Sequence, residues 1–287
     1  QRWLTLGGIT FQPSETAKIL LILFLAQFIM KYKEKLNTVK ILGALVLLFS
    51  IPWFLVFKQP DLSTSIVLLV IFCIIVFIGG IDYKLVLTLI CTVLPAIAIV
   101  IFLAMQPNIN ILKDYQKDRI MAFINPEEYA NDEAYQQLNS ITAIGSGRLN
   151  GKGYKNDDIS SVKNGNFISE AQTDFIFAVI GEEFGFKGTL TVIILLFLIA
   201  LECIAVARRA KDPAGAMIAG SIGGLIAFQS FFNIGVATFI LPNTGLPLPF
   251  VSYGLTSLLS LYIAVGLVLN VRLQAIKLRE IGIDERR

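Results

Sequence analysis

The chain has 287 residues, 55% of them hydrophobic and 16% charged, with a formal net charge of +3 and no histidine. Its mean hydropathy is +0.71, whereas soluble domains carry about 25% charged residues. A soluble enzyme is therefore excluded, and so is nucleic acid as a partner, because no block of Lys or Arg forms a basic patch. Without histidine or a CxxC pair there is no His/Cys metal site, and Cys73, Cys91 and Cys203 lie inside apolar runs as small buried hydrophobes.

Gln1 opens the chain, with no signal peptide, so the sequence reads as starting partway through a longer one. The expected fold class is an all-α polytopic membrane protein. Seven apolar runs approach the ~20 residues that cross a bilayer: Pro13–Met30, Ile41–Phe57, Leu62–Gly80, Leu85–Met105, Phe175–Ala207, Ala214–Val236 and Tyr253–Val271.

The first run opens on "QPSETAK". Pro13 suits a first helical turn, and Glu15 and Lys18, three apart, share one helix face and can pair. An ion pair entering a span must face protein or a wet cavity. It is either structural or part of a cavity for a polar substrate. In "KQPDLSTS", Asp61 starts the third span as a cap or first-turn residue. Lys58 is a lone cation there, explained by headgroup snorkelling or by a phosphate partner.

The fifth run is too long for one simple span. Gly181, Gly185 and Gly188, with Glu182, Glu183 and Lys187, interrupt it. It reads as a re-entrant or interfacial helix from Asp174, then a span from about Gly188, with Glu182 and Glu183 capping the break. Thr173 is placed to cap the first piece, with Asp174 in its first turn, where the helix dipole favours a carboxylate by about 0.3–1 kcal/mol. Asp174 is then a helix-start acid at an interface. Alternatively it is a general base or a cation ligand at the membrane lip. "NTGLPLPFVSYG", Asn243–Gly254, reads as a rigid uncharged turn, a re-entrant wall with no nucleophile.

Basic residues gather in "KYKEK", at Lys84, in "RRAK" and in the tail from Arg272. By the positive-inside rule these face the cytoplasm. Gln1, the "KQPDLS" turn, the Gln106–Thr173 stretch and the Asn243–Gly254 turn then face outward. The 106–173 stretch is a large extracytoplasmic loop within one membrane domain, 1–287. Loops of that length without structure of their own are uncommon and usually functional. No GxSxG, HExxH, Walker A or GxGxxG context is present.

Taken together, "QRWLTLGGITFQPSETAK", "KQPDLSTS", "YQKDRIMAFINPE", "AYQQLNS", "AIGSGRLNGKGY", "TDFIFAVIGEEFGFKG" and "NTGLPLPFVSYG" resemble the SEDS family of shape, elongation, division and sporulation proteins, its RodA branch most of all. The motifs appear in family order and cover nearly the whole chain. The resemblance implies a ten-span fold with three spans preceding Gln1. It implies a peptidoglycan glycosyltransferase of the bacterial cytoplasmic membrane that polymerises lipid II on the outer face, beside a class B penicillin-binding protein.

By motif position the resemblance makes Asp174 the family's essential carboxylate, the catalytic residue that would act as general base. It makes Glu15, Lys18, Lys58, Asp61, Arg119 and Trp3 the substrate-binding residues. Asp174 also becomes the point where a divalent cation, Mg²⁺ or Mn²⁺, would bind. The chain departs from the family pattern just before the acid: Ile168–Thr173 holds no proline, and Gln172 stands where histidine is frequent. Two other functions remain open, a lipid II flippase and a non-catalytic scaffold that activates the penicillin-binding protein.

Overall fold

A computed structural model describes residues 4–6, 9–59, 61–82, 87, 91, 95, 114–130, 134–154, 168 and 171–280. The chain opens with an antiparallel hairpin, β1 (Leu4–Leu6) and β2 (Ile9–Phe11), with Thr5 opposite Thr10. The helices are α1 (Pro13–Lys31), α2 (Val39–Lys58), α3 (Leu62–Ile78), α4 (Asp114–Ile124), α5 (Tyr135–Ser146), α6 (Ile176–Arg208), α7 (Pro213–Ala237) and α8 (Leu255–Glu280). Pro13 occupies the first turn of α1, where its missing N–H costs nothing.

Among the described residues, five helices are long and apolar enough to cross a membrane: Pro13–Lys31, Val39–Lys58, Ile176–Arg208, Pro213–Ala237 and Leu255–Lys277. α3 is a shorter apolar helix, and the expected Leu85–Met105 span lies outside the described residues apart from three isolated positions. Burial runs opposite to that of a soluble protein. Leu47, Phe54, Phe197, Leu198 and Leu259 are exposed, while Glu15, Lys18, Ser65, Gln229 and Ser260 are buried. Lipid outside the helices accounts for both halves of that pattern. The chain is a polytopic α-helical membrane protein, with one short β-hairpin among the described residues.

The chain forms two compact units. The first comprises residues 1–83, 195–229 and 253–287, the second residues 84–194 and 230–252. In the first, α1 packs against α2, α3 and α8. Thr16 Oγ1 and Ser260 Oγ lie 3.5 Å apart across the α1–α8 contact. Phe49 stacks on Phe72, 4.2 Å between centroids, and Trp53 Nε1 donates to Ser65 O, joining α2 to α3. A Cβ on Gly220 or Gly224 would meet Ile78 or Ile74 at 2.4 Å, so α7 approaches α3 on small residues.

In the second unit, α5 completes the C-terminal end of α7. Gln137 Nε2 donates to Val236 O and Leu241 O, and Ser140 Oγ donates to Ala237 O. Val236 and Ala237 are the last residues of α7, whose carbonyls have no partner four residues on within the helix, and Leu241 lies just beyond it. Phe123 of α4 stacks on Phe239 just past the end of α7. The Gln106–Thr173 stretch is therefore not bare loop: it carries α4 and α5.

The break expected in the long apolar run falls at Gly185 (φ 64°, ψ −160°) within α6. Such a break frees backbone groups on both sides, which need partners at membrane depth. The "GRLNGKG" segment supplies them. Lys152 N donates to Glu182 O and Gly153 N to Glu183 O, while Phe186 N donates to Arg148 O and Lys187 N to Leu149 O. The Glu182 carboxylate pairs with Lys152 Nζ at 2.7 Å, a cation placed beside the end of the first helical piece.

This splice depends on absent side chains. A Cβ on Gly147 would lie 1.9 Å from Gly181 O, and one on Gly151 2.1 Å from Glu183 O. Gly151→Ala is expected to detach the segment, removing bonds worth about 0.5–1.5 kcal/mol each. Hydrogen exchange at the Phe186 and Lys187 amides measures this directly. Gly145→Ala, whose Cβ meets nothing within 4 Å, should leave their protection unchanged.

Candidate active site

The candidate residues fall in both units. In the first, Glu15 and Lys18 are buried, at 4% and 1% exposure, and pair at 2.8 Å (Nζ–Oε1). The α-helical spacing delivers them to one face, as expected. Among the described residues neither has another hydrogen bond or ion pair. The pair is thus a charge-assisted bond enclosed on a membrane-length helix, the costly arrangement that marks function or strict packing.

Asp61 is the N-cap of α3. Its Oδ1 accepts from Thr64 N at 3.2 Å, and its carbonyl accepts from Ser65 N and Ser65 Oγ. This removes orphan donors from the first turn, an effect of about 0.5–2 kcal/mol. It assigns Asp61 a structural task whatever else it does. Lys58 ends α2 and is exposed, with no hydrogen bond or ion pair among the described residues. Trp3 lies outside the described residues.

The second unit holds Asp174 and Arg119. Arg119 sits half-buried on α4. Asp174 is in the turn 171–175, partly exposed, and α6 begins only at Ile176. It therefore precedes the helix rather than standing in its first turn. The reason is local. Phe175 is buried at 1% exposure, and its carbonyl takes the bond from Ala178 N that opens the helix, so the two residues before it stay in the turn.

The backbone on both sides of Asp174 is held by residues the sequence did not single out. Asn233 Nδ2, from α7, donates to Asp174 O at 2.7 Å and to Leu246 O at 2.8 Å. Ser252 Oγ donates to Thr173 O and accepts from Leu248 N at 2.7 Å. Gly245 takes φ +69°, and a Cβ there would stand 3.1 Å from Asp174 Oδ2. The proline-rich turn, read from sequence as a wall, is in fact the backing of the carboxylate.

No group of three or more His, Cys, Asp or Glu side chains capable of holding a metal occurs among the described residues. What the turn offers a cation is the one partly exposed carboxylate of Asp174. That suits an ion bound through a single carboxylate together with substrate phosphate oxygens, a common Mg²⁺ arrangement.

Comparison with known proteins follows the same motifs. The model of the FtsW, RodA and SpoVE cell cycle proteins matches residues 1–277. The peptidoglycan glycosyltransferase MrdB of Escherichia coli is 38% identical over 275 residues, covering 94% of this chain and 70% of MrdB. The probable peptidoglycan glycosyltransferase FtsW of Nitrosomonas europaea is 35% identical over 275 residues, covering 94% of this chain and 68% of that protein. Among solved structures, a chain from a peptidoglycan synthase complex that coordinates polymerisation and crosslinking superposes with a TM-score of 0.75 at 28% identity, covering 96% of this chain and 74% of that one. The rod shape determining protein RodA of Thermus thermophilus gives 0.64 at 26% identity, covering 96% and 70%. With the model matching nearly end to end and the helices laid out in the same fold, this chain belongs to the FtsW, RodA and SpoVE family of cell cycle proteins.

Proposed function

We propose that this protein is a peptidoglycan glycosyltransferase that polymerises lipid II into glycan strands at the outer face of the bacterial cytoplasmic membrane, serving elongation and cell shape. The observation that carries the reading is a partly exposed carboxylate, Asp174, fixed in a turn at the start of a membrane-length apolar helix, in a chain 38% identical to the peptidoglycan glycosyltransferase MrdB. A lipid-linked sugar needs such a place: its tail stays in the bilayer while its reacting carbon meets polar groups.

Asp174 takes the proton from the 4-hydroxyl of the acceptor sugar. The freed oxygen attacks the anomeric carbon of the donor, the bond from that carbon to the diphosphate oxygen breaks, and undecaprenyl diphosphate leaves. General-base help of this kind contributes about 10²–10⁴-fold. The leaving group is already good, so a second carboxylate acting as acid, as in glycoside hydrolysis, is not needed. Lys58, with no partner among the described residues, and Arg119 offset the diphosphate charge. Lys18, Glu15, Asp61 and Trp3 bind the polar part of the substrate. A Mg²⁺ or Mn²⁺ ion held by Asp174 would supply further charge neutralisation at the diphosphate.

The partner in this reading is a class B penicillin-binding protein that crosslinks the strands. The likeness to a chain of a complex that coordinates polymerisation and crosslinking supports it. The test is polymerisation of labelled lipid II by the purified full-length protein with that partner, in Mg²⁺ or Mn²⁺ and in chelator. Glycan strands should form with the cation and fall away with chelator. A folded complex that binds lipid II yet makes no strand under any condition would replace this reading with lipid II translocation, for which the buried Glu15–Lys18 pair is also suited.

A further inference from the structure

We infer that Asn233 and Ser252 are positioning residues that fix the direction of the Asp174 carboxylate through the two peptide groups flanking it. The inference rests on the proposed role of Asp174 and extends it to residues that touch no substrate. The direction in which a side chain leaves the backbone, its Cα–Cβ bond, is set by the planes of the peptides before and after its Cα, and the carboxylate swings from that bond. The peptide before Asp174 carries Thr173 O, which accepts from Ser252 Oγ. The peptide after it carries Asp174 O, which accepts from Asn233 Nδ2. Both planes are therefore tied, and the Cα–Cβ bond has little freedom left.

The residue types fit the task. Asn233 is 1% exposed, and its single amide nitrogen serves two carbonyls, Asp174 O and Leu246 O. Only a group with two N–H donors on one atom does this, and two carbonyl partners fix which end of the carboxamide is nitrogen. Its Oδ1 is buried and finds no hydrogen-bond partner among the described residues, so the donated pair orients it. Ser252, 3% exposed, uses its hydroxyl both ways, donating to Thr173 O and accepting from Leu248 N. Both residues thus bind the turn of Asp174 to one segment, 245–252, whose Gly245 leaves the space that Asp174 Oδ2 faces. The Asn243–Gly254 stretch acts as a jig: it contributes no reacting atom but sets where the reacting atom stands.

Misplacing a catalytic group by about 1 Å costs on the order of 10²-fold in rate without a matching loss of binding. The test uses the full-length protein with its class B partner and labelled lipid II. It compares wild type, Asp174→Asn, Asn233→Leu, Ser252→Ala and Ser252→Thr, measuring kcat, KM and melting temperature. Asn233→Leu and Ser252→Ala should lower kcat about 10- to 100-fold with KM within about two-fold. Ser252→Thr, which keeps the hydroxyl, should recover most of the kcat. Equal kcat for Ser252→Ala and Ser252→Thr, or loss in KM rather than kcat, overturns the positioning role. If Asn233→Leu does not fold, the two serine variants decide alone. An inactive Asp174→Asn beside a fully active Ser252→Ala rejects this inference and leaves the proposed function standing. A fully active Asp174→Asn removes the general-base role of Asp174, and this inference with it, while polymerisation itself still stands.

Discussion

Asp174→Asn is expected to reduce glycan synthesis by about 10²–10⁴-fold, with lipid II still bound and the protein still folded. The change keeps size and shape but removes the carboxylate oxygen that takes up the proton in the proposed mechanism. The bonds from Asn233 and Ser252 to the carbonyls of Asp174 and Thr173 do not involve the carboxylate and remain available in the variant. A stable protein with intact substrate binding and no polymer thus separates chemistry from scaffolding. Strand length and yield from labelled lipid II, run beside a binding assay on the same preparation, are the measurements. Wild-type yield from the variant would return Asp174 to the simple role of an acid before a helix at an interface.

The second large effect is expected at the Glu15–Lys18 pair. Lys18→Met leaves a carboxylate enclosed without its counter-charge, and breaking a buried pair on one side costs about 3–5 kcal/mol. Removing both charges, as in Glu15→Gln with Lys18→Met, should recover most of that stability, since well-packed neutral residues replace buried pairs at little cost. The readout that matters is the second one, affinity for lipid II. If the pair binds the substrate's polar part, affinity stays low in the double variant although the melting temperature returns. If the pair only joins turns of α1, affinity returns with it. The double-mutant cycle yields the coupling between the two residues independently of either role.

Much of this architecture was legible because membrane crossing imposes a length and a composition that sequence cannot hide. The runs at Pro13, Ile41 and Ala214 appear as helices within two residues of the expected limits, while the run at Tyr253 continues as helix to Glu280, nine residues past its expected end. The pairing of Glu15 with Lys18 and the capping by Asp61 follow from spacing within one turn of helix. The interruption of α6 was signalled by its glycines and charges, and it falls at Gly185.

What sequence did not disclose depends on contacts between distant segments. The three-residue strands at Leu4 and Ile9 are too short for alternation to register. Asp174 falls before its helix and not in its first turn, because burial of Phe175 sets the starting point, and burial is a tertiary property. Asn233 is 59 residues from Asp174 and Ser252 is 79 from Thr173. Polar side chains in an apolar helix or a proline-rich turn announce that they need partners, not which carbonyls they will find. A search for buried Asn or Ser near a candidate acid, made only once a fold is in hand, is the signal that finds them.

The splice across Gly185 has a consequence for how this region can change through evolution. Its bonds run from backbone to backbone, between residues 148–153 and 182–187, so they make no demand on the identity of most side chains taking part. The demand is negative and local: nothing beyond hydrogen is admitted at Gly147 or Gly151, where a carbon would strike a carbonyl. Leu149 is exposed and Asn150 likewise. The segment can therefore drift freely at such surface positions, with the joint intact, while a handful of points stay closed to every substitution. A broken helix is kept heritable here by prohibition at a few sites and, the Lys152–Glu182 pair apart, by wide latitude at the rest.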